Sequence, residues 1–163
     1  MATETAPAVM TGLATLLAAR PTLAGPPAVP VYPVNLGNQS DAEAIVWTLA
    51  TITGARFLGW GSGPGSGVTV QPLTLNGYLF TAIPGNDTTK AAAALARAGV
   101  LLGEIAQQLR DTPTIGGALD STHRWQQPIL TSAAFLPWMA DVNGTSVARV
   151  RVEFTITWQA LDV

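Results

Sequence analysis

The sequence predicts an α+β fold: a mostly antiparallel sheet with an N-terminal helix and a long central helix packed on one face. Three observations predict it. Val150, Val152, Phe154, Ile156 and Trp158 alternate with Arg151, Glu153, Thr155 and Thr157, the period of a half-buried strand with a polar outer face. In residues 88–111, Leu95, Leu102, Ile105 and Leu109 recur on one helical stripe, with Arg97, Glu104, Gln108 and Arg110 elsewhere. The run "LRDTPTIGGALDS" then stops that helix at Pro113 and turns the chain at Gly116-Gly117.

The remaining elements follow in chain order. Residues 7–20 read as a short helix, with Thr5 as cap, Pro7 in the first turn, and Val9, Leu13, Leu16 and Leu17 on one stripe. Pro21 ends it. "GPPAVPVYPVNLG" suits an edge strand or an extended arm over 21–37, because proline cannot donate to a ladder. "EAIVWTLATITGARFLGW" reads as a strand with two largely apolar faces, and "GWGSGPGSG" as a glycine-rich loop at 59–67. "VTVQPLTLNGYLFTAI" gives one or two strands, with Asn76-Gly77 as a hairpin turn or a bulge. Asp87 or Thr88 caps the central helix. Gly99 and Gly103, one turn apart, are read as letting that helix lie close on the sheet. Residues 123–144 look irregular up to the Asn143-Gly144 turn signal. No internal repeat is visible.

Length and composition narrow the function. A chain of 163 residues makes one domain, 1–163, able to bury a core without staples. It has no cysteine, hence no disulfide framework and no thiolate site. The net charge of −2 lacks the basic footprint of a nucleic-acid-gripping domain. Only 11% of residues are charged, against roughly 25% in ordinary soluble domains. Residues 21–40 and 57–86 carry no formal charge. Subunit interfaces lose charge in this way, and so does a composition biased toward Ala, Gly, Pro and Thr. No apolar run reaches the ~20 residues of a membrane span. The N-terminal stretch lacks the basic n-region of a secretory signal, and Thr11 and Thr15 interrupt its apolar run.

Catalytic patterns are missing. "GWGSGPGSG" has no following Gly-Lys-Ser/Thr and fits no G-x-G-x-x-G register. His123, the single histidine, has only Asp120 close in sequence, and reads as a loop or interface residue. No G-x-S-x-G elbow is present. Asp41, Glu43, Glu104, Asp111, Asp120, Asp141 and Glu153 are scattered and suit caps and surface charges. The expectation is a non-enzyme without cofactor or metal. Among the five tryptophans, Trp47 and Trp158 belong to the core. Trp60, Trp125 and Trp138 fall where loops are expected. With Tyr32 and Phe135 they are the candidate interface anchors, since amphipathic aromatics anchor protein contacts.

The Ala/Leu-rich helix, its end in "LRDTPTIGGALD" and the closing "ARVRVEFTITWQAL" together resemble the small neck proteins of long-tailed bacteriophages, most closely the tail terminators. A helix in that family often ends in L-x-x-D-P-T-L-G-G. Asp111, Pro113, Thr114, Ile115, Gly116 and Gly117 match, with Thr112 inserted. The resemblance covers residues 88–163, and the first half of the chain fits only loosely. It implies a ring of six copies at the head-proximal end of the tail. Such a ring caps the tail tube protein, stops its polymerisation and meets a head-side connector or stopper. Genome DNA passes through the lumen without specific binding, and no membrane is involved. The implied location is the virion, after assembly in the host cytoplasm. Two other readings compete. One is a neighbouring ring protein of the same particle, a tube subunit or a head-side connector. The other is a cytoplasmic ligand-binding domain, which needs a deep pocket with convergent polar groups.

Overall fold

Helical spacing in the first element gathers Val9, Leu13 and Leu17 on one face, and all three are buried. This element, α1 (Thr5–Ala18), contains no charged residue. The computed structural model describes residues 5–25, 27–34, 41–52, 56–60, 67–115, 124–142 and 144–162. Pro21 does not end α1. It opens a separate single turn, α2 (Pro21–Ala24), where its missing N–H is no loss, and Leu23 of that turn is buried. The region read as an arm continues with buried Val29 and a two-residue strand, β1 (Val31–Tyr32), paired parallel to the next strand. Residues 35–40 lie outside the described set.

The strand expected from "EAIVWTLATITGARFLGW" is two strands, β2 (Glu43–Ile52) and β3 (Arg56–Trp60). Both pair antiparallel with one 18-residue strand, β4 (Gly67–Pro84). Pro72 of β4 sits between the residues paired with β2 and those paired with β3, so the ladder breaks where a donor is missing. Ala44 to Trp47 are buried on both faces as expected, whereas Thr48, Leu49 and Thr51 are exposed.

Asn76-Gly77 is not a hairpin, because β4 runs straight through it. The irregularity lies opposite, where the β2 register shifts between Trp47 and Leu49. Gly77 is there for space: a Cβ on it would stand 2.8 Å from Phe154 Cζ, Trp47 Cε3 and the Val46 carbonyl oxygen. Trp47 and Phe154 meet edge to face across it, with ring centroids 5.6 Å apart.

The long helix, α3 (Thr88–Asp111), starts at Asp87, whose carboxylate accepts the Lys90 N–H at 2.8 Å. Its buried stripe is Ala94, Ala98, Leu101, Ile105, Gln108 and Leu109. Two expectations fail here. Leu95 is exposed and Leu102 only half-buried, because alanines occupy the sheet-facing positions. Gly99 and Gly103 face solvent with nothing within 4 Å, so they do not mediate close packing on the sheet. Small residues do carry the close approach, but they are Ala94 and Ala98, and buried Thr81 of β4 donates its hydroxyl to the Ala94 carbonyl at 3.0 Å.

The helix stop has a definite form. Thr112 caps α3 with its N–H on the Gln108 carbonyl. Ile115 then takes a left-handed φ of 52° while its side chain is buried to 1% exposure. The turn therefore drives an isoleucine into the core in a conformation that costs a β-branched residue about 1–3 kcal/mol. Gly116, Gly117 and His123 lie outside the described residues.

The region expected to be irregular is strand. β5 (Arg124–Trp125) and β6 (Ile129–Val142) both pair antiparallel with the last strand, β7 (Thr145–Asp162). Val142 pairs with Thr145 at the end where β6 meets β7, and Gly144 has φ 78°, while Asn143 of the expected turn lies outside the described residues. The seven-stranded sheet is thus five positions wide: β1, then β2 and β3 end to end, β4, β7, then β6 and β5 end to end. β4 and β6 run parallel, and α3 crosses over β7 between them. α1 lies beside α3 on the same face, over β1 and β2. Strand residues such as Leu73, Leu75, Leu79, Val150, Val152, Ile156 and Trp158 meet both helices in one core.

Candidate subunit interface

β6 is the exposed edge of the sheet. Every residue from Thr131 to Met139 is exposed, on both faces of the strand. Its large side chains are apolar: Ile129 is 57% exposed, Phe135 42%, Leu136 47%, Trp138 41% and Met139 49%. No formal charge occurs between Arg124 and Asp141. A long apolar edge of this kind is a protein-contact or aggregation site unless something covers it.

The register fixes which side of the chain each residue uses. Pro137 pairs with Val150 and has no N–H, so theirs is a non-hydrogen-bonded pair. Even-numbered β6 residues near it therefore bond to β7, and odd-numbered ones turn their backbone outward. The two-residue turn at Val142 and Thr145 gives the same phase. Side chains alternate as well. Phe135 and Met139, opposite Val152 and Ala148, lie on the helix side. Leu136 and Trp138, opposite Arg151 and Arg149, lie on the open side.

The open side carries polar groups around a shallow groove of ≈ 530 Å³ lined by Thr48, Asn76, Tyr78, Ser132, Arg151 and Glu153, among others. Arg151 stands 4.4 Å over the Tyr78 ring and pairs with Glu153 at 2.8 Å. Asn76 accepts the Thr155 hydroxyl at 2.9 Å.

The five expected anchors fall in three places. Phe135 and Trp138 share β6 but point to opposite faces. Tyr32 is half-buried at the far edge, where its hydroxyl donates to Asp41 at 2.7 Å. That hydrogen bond, with some burial and the Asp41 charge, raises the Tyr32 pKa. Trp60 ends β3 and Trp125 ends β5, at the same end of the sheet. Trp60, Trp125 and Trp138 are thus strand residues, where loops were expected. The sequence reading passed over Ile129, Leu136 and Met139. The signal was available, since an Asn-Gly turn before a strand implies a strand before the turn.

The acids serve structure. Arg97 holds Glu43 with both carboxylate oxygens, at 2.8–3.1 Å. Arg20, just past α1, clamps the end of α3: it donates to Glu104, to Gln108 at 3.0 Å and to Asp111 at 3.0 Å. The bond from Arg20, then one from Gln107, lowers the Asp111 pKa. Burial pushes Glu104 up, but bonds from Arg20 and Thr22 outweigh it and leave it lowered. Glu104 and Asp111 are thus two carboxylates kept ionised by one guanidinium, unlike an acid–base pair, which needs one of them protonated. Among the described residues no group of three His, Cys, Asp or Glu could hold a metal ion. Among the described residues no helix is long and apolar enough to cross a membrane. Compared with known proteins, the chain matches no family model, and no curated protein matches it significantly.

Proposed function

We propose that this chain is a structural, non-enzymatic subunit that functions in a ring of its own copies, as a phage tail terminator does. The observation that carries the reading is β6: a 14-residue edge strand, apolar and exposed on both faces, in a chain with few charges. A free monomer gains nothing from such a strand, whereas a ring buries it between neighbours. The resemblance of residues 88–163 to tail terminators narrows the ring to the head-proximal end of a phage tail, six copies capping the tube and facing the head connector. A net charge of −2 suits a lumen through which DNA slides, because phosphate grip needs clustered Lys and Arg.

The test is electron microscopy of particles assembled after the gene is deleted from its phage. Overlong, headless tails are the expected result. Normal tails beside unattached heads would move the protein to the head side of the joint, and absent tails would make it a tube subunit. Unaffected particles would overturn the structural reading.

A further inference from the structure

The helix layer is one strand too narrow for its sheet. Two helices packed about 10 Å apart cover about four strand positions spaced ~4.8 Å, and the sheet has five. α1 lies over β1 and β2, and α3 over β4 and β7, reaching β6 only near its start at Leu130. Beyond Leu130 the helix side of β6, with Phe135 and Met139, is left exposed. The flank of α3 that meets α1 and β2 carries Arg97, Glu104, Gln108 and Asp111. The opposite flank, toward β6, carries Leu95, Leu102 and Ala106 by helical spacing. Leu95 is 38% exposed there, and Gly99 leaves open space beside it. The result is an apolar ledge, with β6 as floor and α3 as wall, whose one nearby charge is Arg110 at the Ile129–Leu130 end.

We propose that this ledge receives α1 of a second copy of the chain; this rests on the ring reading above. Four observations select that occupant. α1 has no charged residue, matching the stretch of ledge around Leu95, Phe135 and Met139, where a buried charge would find no partner. Its outward residues Ala8, Thr11 and Thr15 are small and exposed, which suits close approach. The lengths agree, because 14 helical residues span about 21 Å and the seven strand residues 133–139 about 23 Å. Finally, α1 and the ledge sit at opposite edges of the sheet. A head-to-tail ring needs two different patches on opposite sides, and these are such a pair.

The chain has no native cysteine, so an engineered disulfide reads the contact directly. Phe135→Cys is combined in turn with Ala8→Cys, Thr11→Cys and Thr15→Cys, and each protein is oxidised and run without reductant. Within one copy α1 and β6 lie too far apart across the sheet to bridge. The expected result is a ladder of covalent oligomers for at least one pair, and none for any single cysteine. Dimers from Phe135→Cys alone would overturn the proposal in favour of β6 meeting β6. Rings seen by sedimentation with no ladder from any pair would also overturn it while leaving the ring reading intact. A chain that sediments as a monomer at every concentration would overturn the proposal together with self-assembly in solution. A second check uses Phe135→Glu and Thr11→Glu, each with an unchanged far-UV circular dichroism spectrum. Each alone should stay monomeric, and their mixture should give 1:1 dimers that grow no further. Independent failure of the two to pair would overturn the head-to-tail arrangement.

Discussion

Replacing Gly77 by alanine tests the packing at the centre of the sheet. Generic strand preference favours alanine over glycine by roughly 0.5–1 kcal/mol. The structure reverses that sign. The new Cβ would lie 2.8 Å from Phe154 Cζ, from Trp47 Cε3 and from the Val46 carbonyl oxygen. Trp47 and Phe154 are buried to 0% and 2% exposure and held edge to face, so neither ring has room to retreat. The third neighbour is backbone. Overpacking of this kind costs about 3 kcal/mol, leaving a net loss of about 2 kcal/mol after the strand preference. For a chain of 163 residues that lowers Tm by about 4–8 °C. Urea unfolding followed by tryptophan fluorescence would show a lower midpoint with an unchanged m-value. Gly77→Ala combined with Phe154→Leu should be less destabilised than the sum of the singles by about 1 kcal/mol, since the smaller side chain removes one of three collisions. A Gly77→Ala protein as stable as the parent would refute the close approach and the account of why β4 carries glycine there.

Three further substitutions probe other elements. Arg20→Ala should cost about 2 kcal/mol through lost bonds to charged and amide groups of α3, measured by urea denaturation. Because Glu104 and Asp111 are held below their ordinary values, the clamp's stabilisation is complete above the unfolded carboxylate range near pH ~4. It is lost as pH falls through the lower folded values, and Arg20→Ala should flatten that loss in a series of melts at descending pH. At Ile115, glycine relieves the left-handed backbone and alanine does not, so Ile115→Gly should melt no lower than Ile115→Ala, the reverse of the order at helical positions. Asp87→Ala should cost about 1 kcal/mol and leave the core unchanged, which amide exchange in the first turn of α3 would detect.

The legible parts of the fold were those set by local periodicity. Strand β7 buries Val150 to Trp158 on one face because a period-2 pattern permits little else. α3 and its Asp87 cap follow from composition and capping chemistry. Misreadings arose where tertiary packing assigns the role. Gly77 looks like a turn and acts as a gap between two rings. Gly99 and Gly103 look like packing glycines and face outward, while Ala94 and Ala98 do the packing. β6 was hidden because Pro137 and two apolar faces erase the alternation that marks a strand. Arg20 and its three partners, 84 to 91 residues away in sequence, leave no local pattern at all. Of the candidate interface aromatics, Phe135 and Trp138 share a strand that the Asn-Gly turn signal hinted at, but their placement on its opposite faces emerges from the pairing with β7.

On the proposed ring reading, β6 is exposed before assembly and must resist the wrong partners, a resistance that Pro137 supplies. Its ring occupies an outward-facing backbone position, so the free edge offers no N–H there and is split between Phe135 and Met139. A foreign strand can add only short stretches on either side, which is too little ladder for open-ended sheet growth. Asp141 places a charge near the hairpin tip, a second obstacle to edge pairing. Side-chain contacts from a folded neighbour are unaffected, because those use the faces of β6 rather than its backbone edge. Pro137→Thr separates the two modes: it restores the outward donor and raises β propensity without adding a large apolar group. The variant should fold with the parent's circular dichroism spectrum and keep any native oligomer. Held at high concentration, it should form thioflavin-positive fibrils faster than the parent. Equal fibril formation by the two proteins would mean that the edge is protected by something other than the missing N–H at residue 137.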